Sequence, residues 1–437
     1  MRYPVETTKL ALCAIALLAL ASTCESSNDS TATASGTDTY VAPDSTDPRT
    51  TDTNDGPVDT TDEPGDDTPR VVEPQDARSE ALASITNNVI LATLTQFTEK
   101  TLELKTATAT FSDTPSDANR IAAQSAWAAA IDVWQMAEVM QLGPAGVSGA
   151  VAAGQDLRDG IYSWNIVSAC RVDRKTASGV YLNVDDYRNE AVNVHGLDAL
   201  EYLLYNTNED NACGPLNAIN TDGTWANLTD LSSKRAAHSA TVASILHDRA
   251  VALLDLWAPE NGNFAGEVTG AGQTSMTYAS PQEALNAVTD AMFYAEKTTK
   301  DMKLAIPLGI SGCSTDTCPE DLESQYARRS KEHVRANMVA FQQLYLGGPA
   351  DENHMGIDDV LVSVGADELA NSITTGLVDS INAIDAIEGD LATALANNPS
   401  QVQAAFDATR TVMTLFKTQL MATLNLEVPA RAASDND

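Results

Sequence analysis

Histidine is scarce in this chain: five in 437 residues, and none falls in a His-Glu-x-x-His run. A zinc peptidase of that kind needs two imidazoles on one helix face with a glutamate base, so that chemistry is excluded. His238 and His247 are nine apart, half a turn out of phase, and cannot share a site from one helix. His333 and His354 sit in unrelated contexts and read as core or surface residues. There is no Gly-x-Ser-x-Gly elbow to present a serine nucleophile, and no glycine loop of the phosphate-cradling kind. Positive charge is short as well, with 26 Lys and Arg against 61 Asp and Glu, a net of −35. That balance argues against nucleic acid and anionic membrane surfaces as main partners. Aromatic residues make up only 5%, and no convincing strand run appears. Abundant Ala, Leu and Thr suit a helix bundle better than a sandwich.

What is present begins with an export signal over residues 1–23. Arg2 and Lys9 supply positive charge, and Leu10 to Ala21 is apolar but too short to span a bilayer as a mature helix. The run ends Leu20-Ala21-Ser22-Thr23-Cys24, which resembles a bacterial lipobox and marks Cys24 for acylation. Glu25 after the cysteine points, by analogy with enteric sorting, to an outer-membrane lipoprotein facing periplasm or surface. Residues 24–77 are rich in Ser, Thr, Asp and Pro and cannot bury enough apolar surface to offset their ordering entropy. They read as a disordered acidic tether.

The remaining cysteines, Cys170, Cys213, Cys313 and Cys318, form an even set in an exported chain and read as disulfides. The expected pairs are Cys313–Cys318, closing a short loop, and Cys170–Cys213, whose segments bracket the stretch described next.

From about residue 78 the periodicity is helical throughout. Ile90, Leu94, Phe97 and Leu104 mark one long amphipathic helix. Trp127, Ile131, Trp134 and Glu138 share an arc of about 60° on the next, which places a carboxylate in an apolar stripe. A helix is expected to begin near Tyr187 and to carry His195-Gly196-Leu197-Asp198-Ala199-Leu200-Glu201-Tyr202-Leu203-Leu204-Tyr205. Glu201 borders its leucine stripe and Asp198 lies one turn earlier, so the two carboxylates are neighbours. A carboxylate beside a leucine stripe must be paired, hydrogen-bonded, protonated or metal-bound. Further helices are expected over Ser232–Trp257, from Ser280 to about Leu304, through Val334, Met338, Phe341 and Tyr345, over Ala366–Leu395, and after Pro399. The Gly-rich segment Pro259–Thr277 is the expected boundary between two helical domains, 78–265 and 266–437.

Gly196, Asp198 and Glu201 occupy the positions of a Gly-x-His-x-x-Glu signature, and the chain resembles the imelysin family, in particular a lipoprotein subset reading Gly-Leu-x-Ala-Leu-Glu-Tyr-Leu-Leu. Leu142-Gly143-Pro144, Tyr162-Ser163-Trp164, Cys170-Arg171-Val172-Asp173 and Glu323-Ser324-Gln325-Tyr326 with Ser330 are similar to further patterns of that family. The signature His is Asp198 here. The resemblance implies an all-α fold of two helical bundles. It also implies either a metallopeptidase, the activity the family is named for, or a protein linked to iron acquisition in the envelope. The Asp198 replacement weighs against the peptidase, and no catalytic residue is assigned.

Carboxylates on facing helices of a bundle can hold a cation. Glu138, Asp198 and Glu201, with His195 as a fourth ligand, are the expected site for a divalent ion: iron, zinc or calcium. A metal-free scaffold with structural hydrogen bonds at Asp198 and Glu201 is the alternative. The membrane enters as a partner only through the anchor, which gives a direct test. A Cys24→Ala chain is expected to leave the membrane fraction, and unchanged fractionation would refute acylation at that residue.

Overall fold

The computed structural model describes residues 73–429, and these lie within one compact unit. The export signal, Cys24 and all but the last residues of the tether lie outside the described residues. No strand occurs among the described residues.

Among the described residues, ten of the longer helices carry the architecture: α1 (Pro74–Ser84), α2 (Ala92–Asp113), α3 (Asp117–Ala137), α4 (Ala169–Ser178), α5 (Gly196–Tyr205), α6 (Leu231–Trp257), α7 (Pro281–Tyr294), α8 (Ser330–Leu346), α9 (Asp367–Asp385) and α10 (Pro399–Thr414). Several start where side-chain chemistry dictates. Ser116 and Ser280 accept backbone N–H bonds at the N-termini of α3 and α7, and proline opens α7 and α10. Helices α2, α3, α5 and α6 pack together. Helix α8 packs on α9, α9 on α10, and α8 also lies against α3, so α3 touches both groups.

Among the described residues, three helical stretches are π-wound: Ile85–Leu91 between α1 and α2, Ala295–Ala305 after α7, and Leu415–Leu420 after α10. The second of these carries the buried charges Glu296, Lys300 and Lys303.

Local structure departs from the sequence expectations at three places. The helix expected from near Tyr187 begins at Gly196, and Tyr187 belongs to a separate short turn, Val184–Arg188. Gly196 has φ +77°, and a Cβ there would lie 2.4 Å from the Ile161 carbonyl oxygen. The chain needs glycine at that point both for its conformation and for the close approach. The helix expected over Ala366–Leu395 is two, because Gly389 at φ +72° turns the chain and Asp390 caps a new helix, Leu391–Asn397. The Gly-rich segment Pro259–Thr277 is no bare linker. It contains the turn Phe264–Thr269, whose Phe264 ring packs edge-on against Trp257. The division at 265/266 stands as a proposal from the sequence.

The core places the signature helix firmly. Trp127 of α3 donates its indole N–H to the Leu197 carbonyl at 2.9 Å and stacks edge-on against Tyr205. Leu197, Leu200, Leu203 and Leu204 are all buried. Both expected disulfides are present, Cys170–Cys213 and Cys313–Cys318.

These bonds close loops of very different length, with sequence separations of 43 and 5 residues. By loop-closure entropy, replacing both Cys170 and Cys213 with alanine is expected to lower the unfolding free energy by about 4 kcal/mol, and the Cys313/Cys318 double replacement by about 2 kcal/mol. Urea titration of the two double variants measures this, and equal losses would contradict the ordering.

Candidate functional site

Helix α5 turns Asp198 and Glu201 into one pocket of about 450 Å³, together with Tyr202 of the same helix. Trp164 forms part of the wall, and the segment after the second disulfide supplies Glu323 and Tyr326. Glu201 is nearly sealed, and its Oε1 accepts three hydrogen bonds: Ser324 Oγ at 2.8 Å, Tyr326 N at 2.9 Å and Ala327 N at 2.8 Å. Asp198 is half-buried and accepts the Ser163 N–H at 2.8 Å. Burial pushes the Asp198 carboxyl well above its usual range, the Ser163 N–H opposes that, and the charges of Glu201, Glu323 and Glu138 push the same way as burial. Burial raises Glu201 too, against the donors of Ala327 and Ser324 and the charge of His333.

Behind this pair lies a satisfied polar layer. Glu323 receives Lys303 Nζ at 3.0 Å, His333 Nδ1 at 2.9 Å, Gln135 Nε2 at 3.0 Å and the Tyr162 hydroxyl at 2.5 Å. Burial would raise this carboxyl, but Lys303 and His333 outweigh it and hold it well below the usual range. Lys303 also donates to Gln135 Oε1 at 2.6 Å and Asn337 Oδ1 at 2.9 Å, and its burial lowers its own pKa.

The four ligands expected from the sequence are therefore not equivalent. Asp198 and Glu201 line the pocket. Glu138 is fully buried at the end of α3, as its place in the tryptophan stripe implied, but its carboxylate is held by Arg158 at 3.1 Å and it is not among the pocket's lining residues. It reaches Asp198 through its charge. His195 is also off the pocket lining: Nε2 lies 3.1 Å from the Glu190 carbonyl oxygen and the ring packs edge-on against Tyr187. Burial lowers its pKa to about 4. Among the described residues, no group of three or more His, Cys, Asp or Glu side chains is placed to hold a metal ion.

Sequence reasoning did not assign Arg158, Lys303, Glu323 or His333 to the site. The sequence did carry a signal for Glu323: it opens the Glu-Ser-x-Tyr pattern whose Ser324 and Tyr326 bind Glu201. Lys303 carried no signal, because a lysine in a helical run reads as solvated.

Fold and pocket together define an all-α helical protein with a carboxylate-faced pocket beside its signature helix. The chain belongs to the imelysin family, since the Imelysin model of peptidase M75 matches residues 90–416. Two solved structures share the fold at low sequence identity. One is a provisionally assigned iron-regulated protein A precursor from Parabacteroides distasonis ATCC 8503, 16% identical, with TM-score 0.63 over 80% of this chain and 95% of that one. The other is an imelysin-like protein from Psychrobacter arcticus 273-4, 18% identical, with TM-score 0.63 over 81% of this chain and 98% of that one. No curated protein matches the chain.

The opposite shifts of Asp198 and Glu323 predict opposite effects on stability. The folded protein keeps a proton on Asp198 at pH values where the unfolded chain has released it, so stability is lost as the pH rises past about 4, the unfolded value. Asp198→Asn is expected to stabilise the chelator-treated protein at neutral pH, with the gain vanishing below about pH 4. Glu323 contributes stability above the unfolded value that is lost as the pH falls through its depressed one. Glu323→Gln, which strands Lys303, is expected to lower stability at neutral pH by about 3–5 kcal/mol. Urea titrations from about pH 2 to pH 8, which extend well below the unfolded carboxyl values, test both signs.

Proposed function

We propose that this chain is an envelope lipoprotein of the imelysin family whose pocket binds a divalent cation through Asp198 and Glu201. One observation supports the reading above the others. Two buried acids have basic partners: Glu138, off the pocket, with Arg158, and Glu323, on its inner wall, with Lys303. Asp198 and Glu201, the pocket acids carried by α5, have no ion pair among the described residues, and both are raised by burial. Two carboxylates one turn apart without a cation cannot both ionise at low cost, and a bound ion would compensate them. The donor set fits an ion that keeps much of its hydration shell and takes one or two carboxylates, rather than a four-ligand protein cage. Oxygen donors favour hard or intermediate ions. The fold shared with a provisionally assigned iron-regulated protein makes iron acquisition the physiological setting we favour, with Cys24 as the anchor.

The metal-free scaffold reading rests on Glu201 Oε1, whose three donors tie α5 to the 324–327 turn and give that carboxylate a structural task without any ion. The two readings separate in one titration. Calorimetry with Mn²⁺ or Ca²⁺ is expected to show binding that weakens at least tenfold in Asp198→Asn and Glu201→Gln, is unchanged in His354→Ala, and declines with pH as the carboxylates protonate. Wild-type affinity in both carboxylate variants, or no binding at all, would leave the scaffold reading.

A further inference from the structure

Among the described residues, helix α4 carries two arginines without a counter-charge beside a pocket. Arg171, Arg174 and Lys175 line one side of a pocket of about 310 Å³, with Asn193 and Val194 opposite and Ile219 closing it. Lys175 is paired with Glu190 at 2.5 Å. The side chains of Arg171 and Arg174 have no hydrogen bond or ion pair among the described residues, and both are exposed. Their neighbour Asp173 does not neutralise them. It is buried on the other face of the helix, where it accepts the Tyr202 hydroxyl at 2.6 Å and the Ala212 N–H at 2.8 Å. Two like charges at i and i+3 destabilise a helix by a few tenths of a kcal/mol. In a chain of net charge −35, the one carboxylate in the pocket lining, Glu190, is taken by Lys175, and none pairs with Arg171 or Arg174 among the described residues.

The walls of the pocket are fixed. Cys170 at the start of α4 is tied to Cys213, and Asn217 donates to Cys170 Sγ at 3.6 Å, which holds the turn that carries Ile219. The Ser168 N–H donates to the Asn193 carbonyl at 3.0 Å and holds the opposite wall. Two guanidinium groups beside a rigid pocket of this size match a planar or tetrahedral oxyanion, which they can grip with paired N–H donors.

We propose that the α4 pocket is an anion-binding site for a phosphate group, with Arg171 and Arg174 as its ligands. It is separate from the Asp198/Glu201 pocket and opposite to it in sign. Phosphate chemistry is offered both by free phosphate and phosphate esters and by a phospholipid headgroup. The experiment uses the full chain carrying Cys24→Ala, so that acylation contributes nothing. Calorimetric titration with inorganic phosphate is compared with co-sedimentation on phosphatidylglycerol and on phosphatidylcholine vesicles, for that chain and for the same chain with Arg171→Ala and Arg174→Ala added. The expected result is saturable phosphate binding that weakens at least tenfold in the arginine variant and falls with added sodium chloride, while an unchanged thermal midpoint shows that the fold is intact. Binding to phosphatidylglycerol vesicles that phosphate competes away identifies the headgroup as the source. Phosphate binding without vesicle binding identifies the free anion. Absence of both, or equal binding by the arginine variant, overturns the proposal.

Discussion

Lys303 lies where water does not reach, and the acid it pairs with, Glu323, is equally buried. Neither group could be there alone, because an uncompensated charge in such surroundings would destabilise the fold by several kcal/mol. The pair therefore constrains everything around it. Its remaining hydrogen bonds come from Gln135 on α3, Tyr162 in the loop before α4, and His333 and Asn337 on α8. Segments spread over two hundred residues of sequence meet at this one ion pair. Glu323 in turn fixes the turn that follows it, and that turn supplies the three donors to Glu201. The pocket's geometry descends from a charge pair that does not itself need to touch a ligand.

The electrostatic division follows from the same layering. The buried acids Glu138 and Glu323 are matched by Arg158 and Lys303, and Asp198 and Glu201 on α5 have no base among the described residues. This is how one small volume contains carboxyl groups pushed in opposite directions, Glu323 down and Asp198 up. Burial alone would have raised both, so the placement of Lys303 and His333 decides the difference.

The helical class, both disulfides and the position of Asp198 and Glu201 on one turn were legible in the sequence, because periodicity, cysteine parity and i,i+3 spacing are local signals. Glu138 was correctly read as buried from the phase of Trp127, Ile131 and Trp134. Its partner was not readable, since Arg158 follows 20 residues later across a glycine- and proline-containing turn. His195 looked like a ligand because it precedes Asp198 by one turn, a spacing that holds only within a helix. The helix begins at Gly196, so His195 stands outside it in extended backbone, and the positive φ of Gly196 that sets this start is invisible to a periodicity argument. Lys303 could not be found at all: it sits in a π-wound stretch, where the side-chain phase departs from the 3.6-residue rule used to assign faces.

The Cys313–Cys318 ring borders the pocket through Gly312 on one side and Glu320, Asp321 and Leu322 on the other. A five-residue separation closed by a covalent bond leaves this rim few conformations to sample. A guest entering the pocket then meets a wall whose ordering entropy was lost when the bond formed, and little remains to be lost on capture. The disulfide thus contributes to any affinity before a guest arrives.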